Sequence, residues 1–435
     1  MTLLKRLLFL LIFYPSVLQA QDSILISREA LLKNAADKNL QVRIAEQAYL
    51  AAEAGYSQTR AMYLPNLNLS YTAMSTSSPL MAFGSKLNQE RVGMADFNPA
   101  LLNDPGSIQN FGTKLEVQQP ILNYDAVYQR KAARAKADAL KFKMERSAEY
   151  VIFELERSYM QLQMAYKAQY MLKEAKQTAL ANLKLVTDYY NNGMLQKSEL
   201  LNVQVRVTEI DNQLQYAGTN IRNASDYINF LLNSSDSNQV LKPSDSLVPE
   251  KTATALTSLN PARKDLAAYN KSLEAYTNMV TAAKKKLLPR LNAFGSYEFN
   301  DKKITAFRGE GYMVGLQASW NIFDGFKTRG SIAQAKAEYR LAEEEFSQYK
   351  AQSRLELNKT TRQLHDAENK MWLTKLAWEQ TQEAYRIRRN RFTQGLEKTA
   401  DLLNAETLVL QKELEYRQAI FEYNSTAAYL RFLNK

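Results

Sequence analysis

The chain has no cysteine and one histidine among 435 residues. No disulfide and no lipid anchor on an N-terminal cysteine is therefore available, so the fold rests on burial alone, which this length can supply. His365, alone on a Lys- and Glu-rich stretch, cannot build a His-based metal site or triad; it reads as a solvated helix residue, and no cofactor is expected. Beyond the N-terminus no run of 18 apolar residues occurs. A transmembrane helix is thereby excluded, and any membrane span must be a barrel. Proline and glycine are scarce, at 10 and 14. Neither occurs in the roughly 65 residues from Ala126 to Tyr190, which as one helix measure about 100 Å.

What is present begins with M-T-L-L-K-R, the apolar stretch Leu7 to Tyr14, Pro15 and S-V-L-Q-A. These are the basic, hydrophobic and cleavage regions of a secretory signal peptide over residues 1–20. The formal net charge of +11 raises nucleic acid as a partner. Against it, basic and acidic residues interleave along helical patterns, as solvated faces do. The sharpest basic runs, Lys284 to Lys286 and Arg386 to Arg391, close predicted helices, where cations complement the macrodipole. For an exported chain the expectation is no nucleic-acid partner.

The chain repeats itself. Y-N-N-G-M-L-Q-K-S-E-L-L-N-V-Q from Tyr190 and F-T-Q-G-L-E-K-T-A-D-L-L-N-A-E from Phe392 align Gly193 with Gly395 and Glu199 with Asp401. Before the second turn Leu357, Leu364, Met371, Trp378, Tyr385 and Phe392 recur every seven residues. After it come Leu402, Val409, Tyr416, Tyr423 and Leu430, and in the first half Leu200, Val207, Leu214, Ile221 and Ile228. A seven-residue stripe this long predicts supercoiled helices packed knobs-into-holes, because a 3.6 period would drift out of it.

Each half also carries alternating segments. Leu67, Leu69, Tyr71 and Ala73 alternate with Asn66, Asn68, Ser70 and Thr72; Tyr312, Val314, Leu316, Ala318 and Trp320 alternate with Met313, Gly315, Gln317, Ser319 and Asn321. Their partners are Phe111 to Gln118 and Arg290 to Phe299, where Phe294 breaks the pattern. About ten residues with one small polar face suits a transmembrane barrel strand, with Val314, Leu316 and Trp320 toward lipid and Gln317 and Ser319 toward the lumen. The expected organisation is a signal peptide (1–20), then a first repeat (21–233) holding a helix, strands 65–74 and 111–120, a long helix 126–190 and a helix 198–233. A linker (234–260) leads to a second repeat (261–435) with a helix 261–288, strands 290–299 and 312–322, a long helix 329–392 and a helix 399–433. The loop 75–110 is long enough to hold structure of its own.

Four strands cannot close a barrel, so a spanning reading requires oligomerisation. Two chains would give eight strands and a filled interior, whereas three give twelve and a conduit.

The two breaks L-P-N-L (Leu64 to Leu67) and L-P-R-L (Leu288 to Leu291), W-N-I-F-D-G (Trp320 to Gly325), the Phe392 to Glu406 run and Y-R-Q-A-I-F-E-Y (Tyr416 to Tyr423) resemble the TolC-type outer-membrane efflux proteins. The likeness covers essentially the whole mature chain. It implies a mixed α and β membrane protein: a homotrimer whose twelve-stranded β-barrel, four strands per chain, stands in outer-membrane lipid and continues as a long α-helical coiled-coil barrel through the periplasm. Such a protein is the exit duct of a tripartite efflux or type I secretion system, joined to a periplasmic adaptor and an inner-membrane transporter, and catalyses no reaction. Two rival readings remain: a periplasmic coiled-coil adaptor, or a structural envelope protein without a barrel.

Within the resemblance, Gly193 and Gly395 reverse the chain at the adaptor-docking turns. Ser198 and Thr399 are placed to N-cap the returning helices, with Glu199 and Asp401 in their first turns. The acidic pair that rings the closed mouth in the family reads Asp401 and Asn404 here, which leaves one carboxylate per chain at the pore constriction. Lys197, Glu199, Glu397 and Lys398 are candidates for a polar latch at the tip, with Glu397 standing where a basic latch residue is expected.

Overall fold

The computed structural model describes residues 23–33, 38–235, 239–250 and 258–435; the expected signal peptide lies outside them. No helix among the described residues is long and apolar enough to cross a membrane. The chain divides into two compact units that cut across the sequence repeat, each drawing on both halves.

One unit comprises residues 46–143 and 265–349. At its centre is a four-stranded antiparallel sheet of β2 (Asn66–Thr76), β3 (Ile108–Leu122), β5 (Arg290–Asp301) and β6 (Gly309–Ser319), in the order β2-β3-β5-β6. β2, β3 and β5 run past the expected ends at 74, 120 and 299, and β3 also starts before 111. The last strand differs most: it starts three residues earlier than 312–322 and stops at Ser319. Trp320 therefore lies beyond the strand, its indole N–H donating to the Leu287 carbonyl at 2.9 Å. Asp125, buried at the start of a long helix, accepts from Arg290 at 2.6 Å and ties that helix to the first residue of β5.

Residues 77–107, between β2 and β3, carry a helix Pro79–Asn88, a 3-10 turn Met94–Phe97 and a short helix Pro99–Asn103. Gln89, fully buried, donates to the Gln109 carbonyl at 2.8 Å and to Asn110 Oδ1 at 2.7 Å, and Asn110 donates to Asn300 at 2.8 Å. The Asn88 carbonyl presses on the first residue of β6, where a Cβ would stand 2.0 Å from its oxygen; only glycine fits at Gly309.

The other unit comprises residues up to 45 together with 144–264 and 350–435. It holds most of two helical hairpins: Tyr124–Asn191 with Lys197–Leu231, and Lys327–Thr393 with Thr399–Asn434. The helices before the breaks, Leu40–Gln58 and Lys264–Lys285, end short of Pro65 and Pro289. The seven-residue stripe of the second half is the seam: Leu357, Leu364, Phe392, Leu402, Tyr416, Tyr423 and Leu430 are buried. In Lys197–Leu231 the seam sits three residues further on than expected. Val203, Ile210, Ala217, Ala224 and Leu231 are buried, whereas of the expected set only Ile221 and Ile228 are. Both sets belong to one apolar face, since positions three and four apart lie side by side on a helix.

The segment between the repeats is more than a joint. β4 (Leu241–Pro243) pairs in parallel with β1 (Ile24–Ile26), and the Tyr159 hydroxyl donates to Asp245 beside the Ile26 carbonyl. Glu156 receives both Arg28 and Arg431, and Arg431 also bonds Glu250 at 2.5 Å. These contacts strap the N-terminal segment and the linker to the helices.

Candidate functional site: a two-faced sheet and paired hairpin turns

The sheet register sorts side chains onto two faces, because directly paired residues in an antiparallel sheet point the same way. One face collects Leu67, Leu69 and Tyr71, then Val117 and Leu115, then Tyr297 and Phe299, then Val314 and Leu316. The other collects Asn66, Asn68, Ser70 and Thr72, then Gln118, Glu116 and Lys114, then Ser296 and Glu298, then Met313 and Gln317. The apolar face is bare: Val314 is 73% and Leu316 67% exposed. Phe294, out of pattern in the sequence, stands on the polar face opposite Gly315, which leaves room for its ring. The outer edges of β2 and β6 have no strand partner among the described residues. The sheet is thus apolar on one side and polar on the other, with a row of unpaired backbone groups along each outer strand.

The two turns share one geometry. Gly193 N–H bonds the Tyr190 carbonyl and Met194 N–H the Tyr189 carbonyl, each at 2.9 Å; Gly395 and Leu396 do the same to Phe392 and Arg391 at 2.9 Å. These are Schellman closures, and both glycines take the left-handed conformation they require, with φ of 71° and 73°.

The returning helices start differently from expectation. Gln196 and Lys398 occupy the N-cap positions, and neither side chain caps. Ser198 and Thr399 fall one or two residues inside, and the Thr399 hydroxyl is buried without a partner. The backbone N–H groups of Glu199 and Asp401 bond the Gln196 and Lys398 carbonyls at 3.1 Å, which sets both acids in the first turn where a negative charge meets the positive end of the helix. Asp401 is half-buried and Asn404 exposed on the same helix.

The four latch candidates do not meet within one chain. Glu397 bonds Arg388 at 2.7 Å and Arg391 at 3.0 Å, both on the helix just before its own turn, so it does not reach the other hairpin. Lys197 and Lys398 form no ion pair among the described residues, and one Glu199 carboxylate oxygen is buried and unpartnered. Joining the hairpins near their turns instead are the apolar contacts of Val186, Val203, Phe392 and Leu402, and Tyr189, whose ring lies 6.1 Å from that of Phe392 and whose hydroxyl reaches the Thr393 carbonyl at 3.4 Å.

A family model for the outer membrane efflux protein matches residues 31–234 and 257–433, most of the chain. The chain belongs to the outer membrane efflux protein family. Members of this family are channels, not enzymes. Solved structures agree in fold: a membrane protein from Pseudomonas aeruginosa, 16% identical, with 93% of each chain covered and a TM-score of 0.81. The CmeC outer membrane channel of Campylobacter jejuni is 16% identical, with 93% of this chain and 85% of that one covered and a TM-score of 0.80. The outer membrane protein VceC of Vibrio cholerae is also 16% identical, with 94% and 96% covered and a TM-score of 0.79. No curated protein sequence matches the chain. Among outer membrane efflux proteins, then, the L-P-x-L breaks and paired glycine turns of this chain have their place in the fold.

Proposed function

We propose that the protein is the outer-membrane exit duct of a tripartite pump. Three copies close a twelve-stranded barrel in outer-membrane lipid, the helical hairpins form a tunnel through the periplasm, and the six glycine turns surround its mouth. An inner-membrane transporter supplies the energy, and a periplasmic adaptor docks at the turns around Gly193 and Gly395. One observation carries the reading: a four-stranded sheet with an exposed apolar face, a polar face and two unpaired edges. Such a sheet is tolerated in lipid only once its edges pair. A barrel-less adaptor or envelope coiled coil has no use for it.

At the mouth, Asp401 is the constriction acid and Asn404 its neutral neighbour, so the ring holds one carboxylate per chain. Lys197, Glu199 and Lys398 remain free to pair across copies, while Glu397 serves its own hairpin. Fractionation tests the reading: the protein should leave outer membranes only with detergent and conduct ions in planar bilayers. Recovery in the soluble periplasmic fraction contradicts it.

A further inference from the structure

The segment between β2 and β3 turns back over the sheet at the end opposite the L-P-x-L breaks. Its helix Pro79–Asn88 begins beside Thr76, where β2 ends, and lies against β3, β5 and β6. The match in length is close: the outer strands of four are three steps of about 4.8 Å apart, and ten residues of helix supply about 15 Å. The helix therefore crosses the whole sheet, edge to edge.

It takes the polar face. Gln89 bonds Asn110, Asn110 bonds Asn300 and the Asn88 carbonyl abuts Gly309; by register Asn110, Asn300 and Gly309 share the side of Lys114, Glu298 and Met313. The helix is also inverted. Ala82, Ser85 and Gln89 are buried along one side, whereas Leu80, Gly84 and Leu87 line the opposite one, with Leu80 83% and Leu87 57% exposed. A surface helix ordinarily buries its large apolar residues and shows the small and polar ones. This one does the reverse, and it is held that way: Phe83 meets Phe97 edge-on at 5.8 Å and Lys86 bonds Asp96 at 2.9 Å, fixing the next turn to it.

In the barrel proposed above the polar faces line the lumen, so each chain lays one such helix across the opening. Twelve strands about 4.8 Å apart and tilted about 40° close a ring about 24 Å across. A helix with its side chains is about 10 Å wide, and the small Ala82 and Ser85 beneath it let it lie close to the wall. Three of them fill the opening and touch near the axis. We propose that the Pro79–Asn88 helices of three copies meet there through Leu80, Gly84 and Leu87 and form a plug at the outer end of the barrel. The partner that covers the exposed leucines is the same face of two further copies. Convex surfaces leave gaps, so water and ions pass while bulky solutes from outside are stopped. The plug rests on the barrel reading.

The face is open to substitution, because Leu80 and Leu87 are exposed in the single chain and no atom stands within 4 Å of a Cβ built on Gly84. In the full, otherwise cysteine-free protein in detergent, mild oxidation of Gly84→Cys should link two chains of three, giving dimers and monomers on non-reducing gels. Leu80→Cys and Leu87→Cys should link as well, and Leu316→Cys, on the apolar face, should not. Passage is read on whole cells from Met313→Cys, exposed on the polar face about 13 Å along β6 from Gly309. A bulky polyethylene-glycol maleimide added outside should label it slowly, and at least tenfold faster once Leu80→Asp and Leu87→Asp place repelling charges on the axis; a small maleimide should label both alike. No linked dimers at positions 80, 84 and 87 in a protein whose mass is three chains, or rapid labelling by the bulky reagent without the Asp substitutions, overturns the plug and leaves the duct standing. A mass of one chain sinks the duct and the plug with it.

Discussion

Phe294 occupies the space that a side chain at position 315 would need: a Cβ on Gly315 would stand 2.6 Å from its ring. The two residues are directly paired across β5 and β6, so an aromatic ring interrupts the polar face only where glycine receives it. Overpacking such a contact costs about 1 to 3 kcal/mol. Gly315→Ala should lower the temperature at which the detergent-solubilised protein loses its folded, heat-modifiable gel mobility. Adding Phe294→Ala should restore much of the loss, and a double variant no better than the single one would show that the pair is not coupled.

The proposed barrel would separate neighbouring residues of one strand by their contact with lipid. Arg at Leu316, on the bare apolar face, should cost about 2 to 4 kcal/mol near the bilayer midplane, and Arg at Gln317, on the polar face, much less. Folding titrations into lipid vesicles measure both, and equal tolerance would contradict the assignment of faces.

The turns depend on backbone conformation alone. No atom lies within 4 Å of a Cβ built on Gly193 or Gly395, so any penalty of substitution comes from the positive φ. Gly193→Ala and Gly395→Ala should each destabilise by about 1 kcal/mol, and asparagine by less. Thermal unfolding followed by circular dichroism reads the difference.

Much of this architecture is visible in the residues themselves. The Schellman turns announce themselves through Gly193 and Gly395, the seams through apolar residues every seven positions, and the sheet faces through alternation at Leu67 to Ala73 and Tyr312 to Ala318. All of these are local and periodic. The features that do not show depend on which elements meet. Ser198 and Thr399 have the chemistry of caps, yet Thr399 is the first residue of its helix and Ser198 the second of its own, each past the N-cap. The pairing of Ile24–Ile26 with Leu241–Pro243 joins segments too short to carry a period. Phe294 looks like a defect until Gly315 is placed opposite.

At the mouth the proposed ring of Asp401 makes an ionic prediction. Three converging carboxylates repel one another and favour cations. Asp401→Asn should reduce cation selectivity in reversal-potential measurements, and Asn404→Asp should raise it, with assembly unaffected. If neither moves the reversal potential, Asp401 only supports the start of its helix.

The most direct test of the central claim is the mass of the folded protein in detergent. A sheet of four strands with two open edges needs partners on both sides, and twelve strands are the closure that leaves a water-filled pore. Light scattering corrected for bound detergent, or native mass spectrometry, should report three chains. A stable single chain retaining its full β content would contradict the barrel and, with it, the exit duct.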